Sequence, residues 1–316
     1  MKRAAWWFVA LWPAISPAAD ELTIATYNVE NYVSTNRMTA MGYRKDYPKS
    51  ETSKQALRAV IQRLDVDVLV MQEMGPPPYL EELQRDLAAQ GMDYPHAVLL
   101  QGPDTDRHVA VLSRRPLVRA VQHTGLVFKY HGGYEAVKRG VLEVEVATPL
   151  GPLTLWGLHL KSRYTDEDTD PESAKRRAGE AMAVREFILT QIGDPAEALF
   201  VILGDFNDSK ASAPLRYLTR KGKMHFAKLL PAADASGDRW TYHYRKEDAY
   251  SRVDHVLVSA PLWPAVKDGR ATIFDGDDVR AASDHRPVVF TLEFGYTQTQ
   301  TATNQTTAAT NATAND

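Results

Sequence analysis

Leu199-Phe200-Val201-Ile202-Leu203-Gly204-Asp205-Phe206-Asn207-Asp208 runs from five apolar residues straight into two carboxylates and an amide. A continuous apolar run of that length, bounded by a turn signal, reads as a strand buried on both faces. Side chains two apart on an extended segment face the same side, so Asp205 and Asn207 are expected to meet at one place. Two further polar clusters, His159-Leu160-Lys161-Ser162 and Ser283-Asp284-His285-Arg286-Pro287, adjoin apolar β-like runs, and Asn28 and Glu73 end two more. Together they form the ligands, acids and bases that phosphate-ester hydrolysis requires.

The 316 residues carry 37 Lys and Arg against 40 Asp and Glu, a net charge of −3. Lys2-Arg3, an apolar stretch from Ala4 to Ile15 and the small-residue end Ser16-Pro17-Ala18-Ala19 have the pattern of a secretory signal peptide over residues 1–19. Cleavage is expected after Ala18 or Ala19. The stretch is too short for a hydrocarbon layer of roughly 30 Å and contains Pro13, which argues against an anchor. Without Lys2 and Arg3, 35 basic residues face 40 acidic ones and the net charge is −5. Tight non-specific nucleic-acid binders show a basic excess, so a polyanionic substrate here must be held locally, by a cation and a few Arg or Lys side chains.

The chain has no cysteine, which excludes disulfides and thiolate metal sites and suits an oxidising compartment. No later segment nears the roughly 18–20 apolar residues of a membrane helix. The expectation is a soluble, exported protein, periplasmic or secreted. Residues 297–316 are almost entirely Thr, Asn, Gln and Ala and read as a disordered tail. Asn304-Gln305-Thr306 and Asn311-Ala312-Thr313 match the glycosylation acceptor pattern, as chance allows in such a tail. Residues 20–296 suit one large domain.

Leu22–Tyr27 reads as a first strand, followed by a polar loop and a helix over Ser53–Leu64 capped by Ser53 or Thr52. A strand over Val66–Met71 leads to Glu73, and a helix over Leu80–Gln90 ends at Gly91. A meander follows, with strands over Ala97–Leu100, His108–Ser113, Val118–Phe128, Gly140–Ala147 and Leu153–His159. A helix over Glu172–Ile192 then precedes Leu199–Leu203. Asn28 and Glu73 lie 45 residues apart, His159 and Asp205 46 apart. The two strand-helix-strand halves suggest sheet packed on sheet, helices outside, with one shared cleft.

A carboxylate at Glu73, ending a buried-looking run, is costly unless paired or bound to a cation. With the amide oxygen of Asn28 and water it suits Mg²⁺ or Mn²⁺, which favour oxygen ligands. Of the nine histidines, His159 and His285 are placed like reactive groups. An Asp that orients an imidazole and favours its protonated form makes a general base, and Asp254 is the partner expected for His285. Asp205 suits a water-positioning role, and Asn207 donation to a phosphate oxygen. Arg139 and Lys161 are candidates for holding substrate phosphate, with a solvated surface charge as the alternative for each. Trp240-Thr241-Tyr242-His243-Tyr244 alternates at period two, as an ordinary half-buried strand does.

In these residues the chain resembles the endonuclease/exonuclease/phosphatase superfamily, the fold of pancreatic-type deoxyribonuclease, apurinic-site endonucleases, inositol polyphosphate phosphatases and bacterial sphingomyelinases. The matching stretches, in family order, are Tyr27-Asn28-Val29-Glu30-Asn31, Val70-Met71-Gln72-Glu73, Leu158-His159-Leu160-Lys161-Ser162, Leu203-Gly204-Asp205-Phe206-Asn207, Arg252-Val253-Asp254-His255 and Ser283-Asp284-His285-Arg286-Pro287. The resemblance implies an α/β fold, a four-layer α/β/β/α sandwich of two packed mixed sheets flanked by helices. It also implies a divalent-metal phosphodiesterase or phosphatase using Mg²⁺, with Mn²⁺ or Ca²⁺ as alternatives. Asn28 and Glu73 would hold the metal, with Asp284 nearby, and His285 paired to Asp254 would act as base. His159 would contact phosphate or act as acid, while Asp205 and Asn207 align water and phosphate. The tyrosine that contacts phosphate in several family nucleases has no clear counterpart, Tyr134 being the nearest match.

No Ser, Cys or His sits where a covalent nucleophile would be activated, so direct attack of water is expected. Nucleic acid is the first-choice substrate of an exported, monomeric enzyme. A phospholipid or sphingomyelin diester, or a small soluble phosphate ester, is the alternative. The lipid reading needs an exposed apolar hairpin, which the sequence does not display clearly.

Overall fold

The computed structural model describes residues 20–39 and 41–295; the expected signal segment and the Thr/Asn/Ala tail lie outside them. Two mixed sheets stack face to face. The first holds seven strands in the order Ala232–Ala233, Ala271–Ile273, Val288–Phe294, Asp20–Tyr32, Val68–Met74, His108–Ser113 and His96–Leu99. The second holds six, in the order Ala227–Leu229, Asp254–Ser259, Phe200–Asp205, Gly151–His159, Val141–Thr148 and Leu117–His123.

Period-two alternation sorts the side chains into three apolar layers. Ile24, Val68, Val70 and Val111 of one sheet interleave with Val144, Leu155, Leu203 and Val256 of the other. The residues between them point outward. Ala25, Leu69, Met71 and Leu112 meet Leu57, Val60 and Ile61 of helix Glu51–Leu64 and Leu83 and Leu87 of helix Pro77–Ala89. On the opposite face, Trp156, Leu158 and Ile202 meet Ala181, Val184 and Ile188 of helix Ala174–Gln191. Strands covered on both faces must be apolar throughout, which is why the central ones read as unbroken runs. Each fully buried Val, Leu or Ile contributes about 1.5–3 kcal/mol, so the inter-sheet layer fixes the depth at which the sheets dock.

Each sheet contains a parallel pair joined by an α-helical crossover, and the first has a second, short parallel pair at its edge, Ala232–Ala233 with Ala271–Ile273. Strand Asp20–Tyr32 pairs with Val68–Met74, Asn28 opposite Gln72, and strand Gly151–His159 pairs with Phe200–Asp205, His159 opposite Asp205. The two halves therefore end at a common edge, as the repeated spacing suggests.

Several expected boundaries change. Ser50, not Ser53 or Thr52, caps the first helix, its side chain accepting from the Ser53 N–H at 3.1 Å. The strand expected over Val118–Phe128 breaks at Thr124-Gly125-Leu126, and Val127–Tyr130 pairs instead with Gly133–Ala136. The polar loop expected after the first strand holds a hairpin, Thr35–Thr39 against Gly42–Tyr47, that exposes Met38, Met41 and Tyr43. This is the exposed apolar hairpin that the sequence did not reveal, because its apolar residues are too sparse to show a period.

Candidate active site

Three neighbouring strands of the second sheet end at one level: His159 lies opposite Asp205, and Asp205 opposite Asp254. All three side chains are buried. Gly204 makes the convergence possible. At φ +145° a Cβ on residue 204 would stand 2.0 Å from the Leu158 carbonyl oxygen, so only glycine lets the two strands approach this closely.

From the first sheet come Asn28, Glu73 and the Ser283–Pro287 loop. Asn28 Nδ2 donates to Asp205 Oδ2 at 3.0 Å, and Glu73 Oε1 lies 3.9 Å from His159 Nε2, so both contacts cross the seam between sheets. Glu73 sits at φ +63° and accepts the Asn31 N–H through Oε2 at 2.9 Å. Asn207 also has positive φ, +51°, so the expected extended geometry is absent there. The turn nonetheless returns its side chain to the same place. Asn207 Nδ2 donates to Asp205 Oδ2 at 3.2 Å and to the Leu160 carbonyl at 3.0 Å, and Asp205 Oδ1 accepts the Asn207 N–H at 2.8 Å.

The expected pairing of Asp254 with His285 is present: Nδ1 stands 2.8 Å from Asp254 Oδ2. His285 Nε2 lies 4.0 Å from Asp205 Oδ2, too far for a direct hydrogen bond and within the reach of a single water hydrogen-bonding to both. Burial opposes a charge on His285, but the carboxylates of Asp254, Asp205 and Asp284 outweigh it and hold the imidazole well above its ordinary range. Burial pushes Asp205 up to about 7, Asp254 adding to it against His285 and the amides of Asn207 and Asn28. His159 goes the other way: burial, then the charges of Arg139 and His285, keep it well below its ordinary range and hence neutral.

Asp205, Asp254 and His285 are the one group of three acid or imidazole donors, among the described residues, whose atoms lie within 4.8 Å of one another. Among them the Asp254–His285 contact is the hydrogen bond, an arrangement that can pass a proton from the open Nε2 side of the ring. The oxygen set anticipated for a cation is Asn28, Glu73 and Asp284. Burial pushes Asp284 up to about 6, with Glu30 and Glu73 raising it further against His285. Carboxylates that burden one another in this way, beside a buried amide, suit a hard divalent cation. The donor set fits a divalent cation of that kind.

Arg139 and Lys161 depart from expectation, being neither solvated nor free to grip a phosphate. Arg139 is buried against Asp104 at 3.0 Å and reaches the Leu160 carbonyl at 3.4 Å, so it supports the turn behind Asn207. Lys161 is buried, its Nζ donating to the Ser162 carbonyl at 3.2 Å and to the Tyr164 carbonyl. Burial, and then Arg139 and Lys138, lower it to about 8. Tyr134 projects into solvent from its hairpin.

Sequence reasoning missed Ser283 and Thr241 as positioning residues. Ser283 Oγ donates to the Asn28 carbonyl at 2.8 Å and accepts the His285 N–H at 3.0 Å, tying the His285 loop to the first strand. Buried Thr241 Oγ1 accepts the N–H groups of Val253 and Asp254 at 3.0 and 3.1 Å. Only Ser283 carried a signal, its place inside a motif. A concavity of about 150 Å³ opens beside Asp284 and His285, walled by Trp240, His243, Arg245 and Arg280. Tyr250 stacks on His243 at 4.3 Å and meets Trp240 edge-on at 4.9 Å, extending that wall.

The family model described as Endonuclease/Exonuclease/phosphatase family matches residues 25–285. No curated protein matches the chain significantly. Similar solved structures include sphingomyelinase C of Streptomyces griseocarneus, 17% identical, covering 87% of this chain and 100% of that one with a TM-score of 0.58. A beta toxin double mutant of Staphylococcus aureus with bound magnesium ions is 14% identical over 86% and 99%, TM-score 0.59. Truncated TDP2 of Caenorhabditis elegans is 17% identical over 86% and 97%, TM-score 0.55. At these identities the likeness is one of fold.

Proposed function

The chain belongs to the endonuclease/exonuclease/phosphatase family, and from that premise we propose that it hydrolyses phosphodiester bonds in nucleic acid by direct attack of water. The reading is carried by the relay: His285 held by Asp254 at 2.8 Å, with Asp205 4.0 Å from its other nitrogen. A water between Asp205 Oδ2 and His285 Nε2 loses its proton to the relay as its oxygen bonds to phosphorus, and the ester bond on the opposite side breaks, its oxygen leaving as an alcohol with a proton taken from solvent. Asn207 donates to a non-bridging oxygen. Neutral His159 is suited to donating a hydrogen bond to the phosphate rather than to acting as an acid. Asn28, Glu73 and Asp284 would hold Mg²⁺, which neutralises phosphate charge when bound.

Nucleic acid is favoured by the wall beside His285, which Trp240, His243, Arg245 and Arg280 line together. Arginines interleaved with aromatic rings grip phosphates and stack on bases. The pattern of residues 1–19 supports export, tested by the N-terminal sequence of protein recovered outside the cytoplasm. A lipid diester is the second reading, favoured by exposed Met38 and Met41 on the first hairpin.

Purified protein with Mg²⁺, Mn²⁺ or Ca²⁺ is assayed on plasmid DNA, RNA, sphingomyelin and bis-p-nitrophenyl phosphate, beside a Glu73→Ala control. Cleavage of DNA or RNA, lost in the control, bears out the proposal. Cleavage of sphingomyelin alone replaces it with the second reading.

A further inference from the structure

A second concavity, of about 600 Å³, opens where an edge of one sheet meets an edge of the other, between Ala227–Leu229 and Ala232–Ala233. Leu229 and Ala232 give it an apolar floor. Its walls carry Lys210, Arg239, Arg252 and Arg270 and no carboxylate. Among the described residues none of these four cations is in a salt bridge, whereas Arg58, Arg139 and Arg286 each have an acidic partner. Arg252 is half-buried, donates to the Leu230 carbonyl at 3.0 Å, and has a buried Nε with no hydrogen-bond partner.

Four unpaired cations facing one cavity repel one another, and a buried donor without an acceptor keeps its desolvation cost uncompensated. An anion in the cavity relieves both. The chain as a whole is slightly acidic, so this concentration of one sign is local. It also adjoins the relay in sequence. Arg252 lies two residues before Asp254, roughly 7 Å of extended chain, and Lys210 follows the Asp205–Asp208 turn. A single phosphate does not need four basic side chains spread around so large a space. A strand carrying several phosphates does, and the apolar floor suits its sugars or bases.

We infer that this concavity is a subsite for phosphates of the nucleic-acid strand that flank the bond being cut. The inference rests on the nucleic-acid reading above. The subsite adds binding at a distance from the reacting phosphate, so it raises affinity for a chain and leaves a minimal diester unaffected.

The test uses a fluorescein-labelled single-stranded deoxythymidine 12-mer, its binding followed by anisotropy across a salt series. The parent is His285→Ala, in which cutting is expected to be slowed by at least about 100-fold, and the variant adds Arg239→Ala and Arg270→Ala, two exposed residues with no partner to orphan. Freeing one phosphate of a single strand from its basic side chain lowers the log–log salt slope by about 0.7, or fivefold in affinity at 0.1 M salt. The expected change is about 1.4 in slope and about 25-fold in affinity. With His285 intact, the same pair of substitutions should leave bis-p-nitrophenyl phosphate turnover at the wild-type rate. Unchanged affinity and slope, no binding by the parent, or a matching loss on the small diester overturns the subsite. Should the wild type turn over the small diester but leave a bound 12-mer intact, the nuclease reading fails while the binding data still decide the subsite.

Discussion

Replacing Asp254 by Asn isolates what the buried carboxylate does for His285. Asn has nearly the same volume, and its amide oxygen can still accept the Nδ1–H bond now made at 2.8 Å, so the imidazole keeps its orientation. What disappears is the charge. As water gives up its proton the imidazolium forms, with its charge centre about 4 Å from that of the carboxylate. At an effective dielectric of about 20 that attraction is about 4 kcal/mol, or roughly a thousandfold in rate. The expectation is a kcat/KM on bis-p-nitrophenyl phosphate lower by about 10³. Asp254 also raises the pKa of His285. A base works only above its pKa, so the acid limb of the pH–rate profile should move to lower pH in the variant. The double variant Asp254→Asn, His285→Ala should be scarcely slower than His285→Ala alone, since the carboxylate acts through the ring. A single variant within threefold of wild type, or a double variant slower by the full product of the two effects, would refute the relay.

Chelation should abolish hydrolysis and Mg²⁺ restore it, while Glu73→Ala should raise the Mg²⁺ needed for half-activity by at least about tenfold; activity surviving chelation would remove the metal from the scheme. His255 is fully buried, and burial, then Arg252, lowers it to about 4. Between its unfolded value of about 6.5 and that value the unfolded chain binds a proton the native one refuses, so stability falls as pH drops through the window. The loss, about 3 kcal/mol in urea titrations between pH 7 and 4, should be absent from His255→Gln. Gly204→Ala puts a methyl group against the Leu158 carbonyl at a strained φ, and should cost about 3–5 kcal/mol in the same titrations. A variant within 1 kcal/mol of wild type would show that the strands can part there without penalty.

The strand ends were legible because burial on both faces makes a strand a continuous apolar run, and the polar residue that stops it stands out. Asp205 after Leu203-Gly204 and Glu73 after Met71-Gln72 are such stops. Arg139 and Lys161 were misread because a basic residue beside a motif looks the same in sequence whether its head faces substrate or, like Arg139, a buried Asp104 from a distant loop. The hairpin carrying Met38 and Met41 escaped because a strand exposed on both faces has no alternation to detect. Thr241 was invisible for another reason. Its part is to accept two backbone N–H groups twelve and thirteen residues away, and backbone donors leave no trace in side-chain identity.

Each half of the site belongs to a different sheet. Asn28 and Glu73 ride on the first, His159, Asp205 and Asp254 on the second, and His285 enters from a loop that Ser283 ties to Asn28. The two sheets meet through Ile24, Val70, Leu155 and Leu203, residues far from any reacting atom. Thinning that layer lets the sheets shift, and the Asn28 to Asp205 and Glu73 to His159 distances change with them. Displacements near 1 Å can cost about a hundredfold in rate when they separate groups that must act on one phosphate. Turnover should therefore respond more to a volume-reducing substitution between the sheets, such as Leu203→Ala, than to one under a helix, such as Leu83→Ala, and equal losses in kcat would refute this.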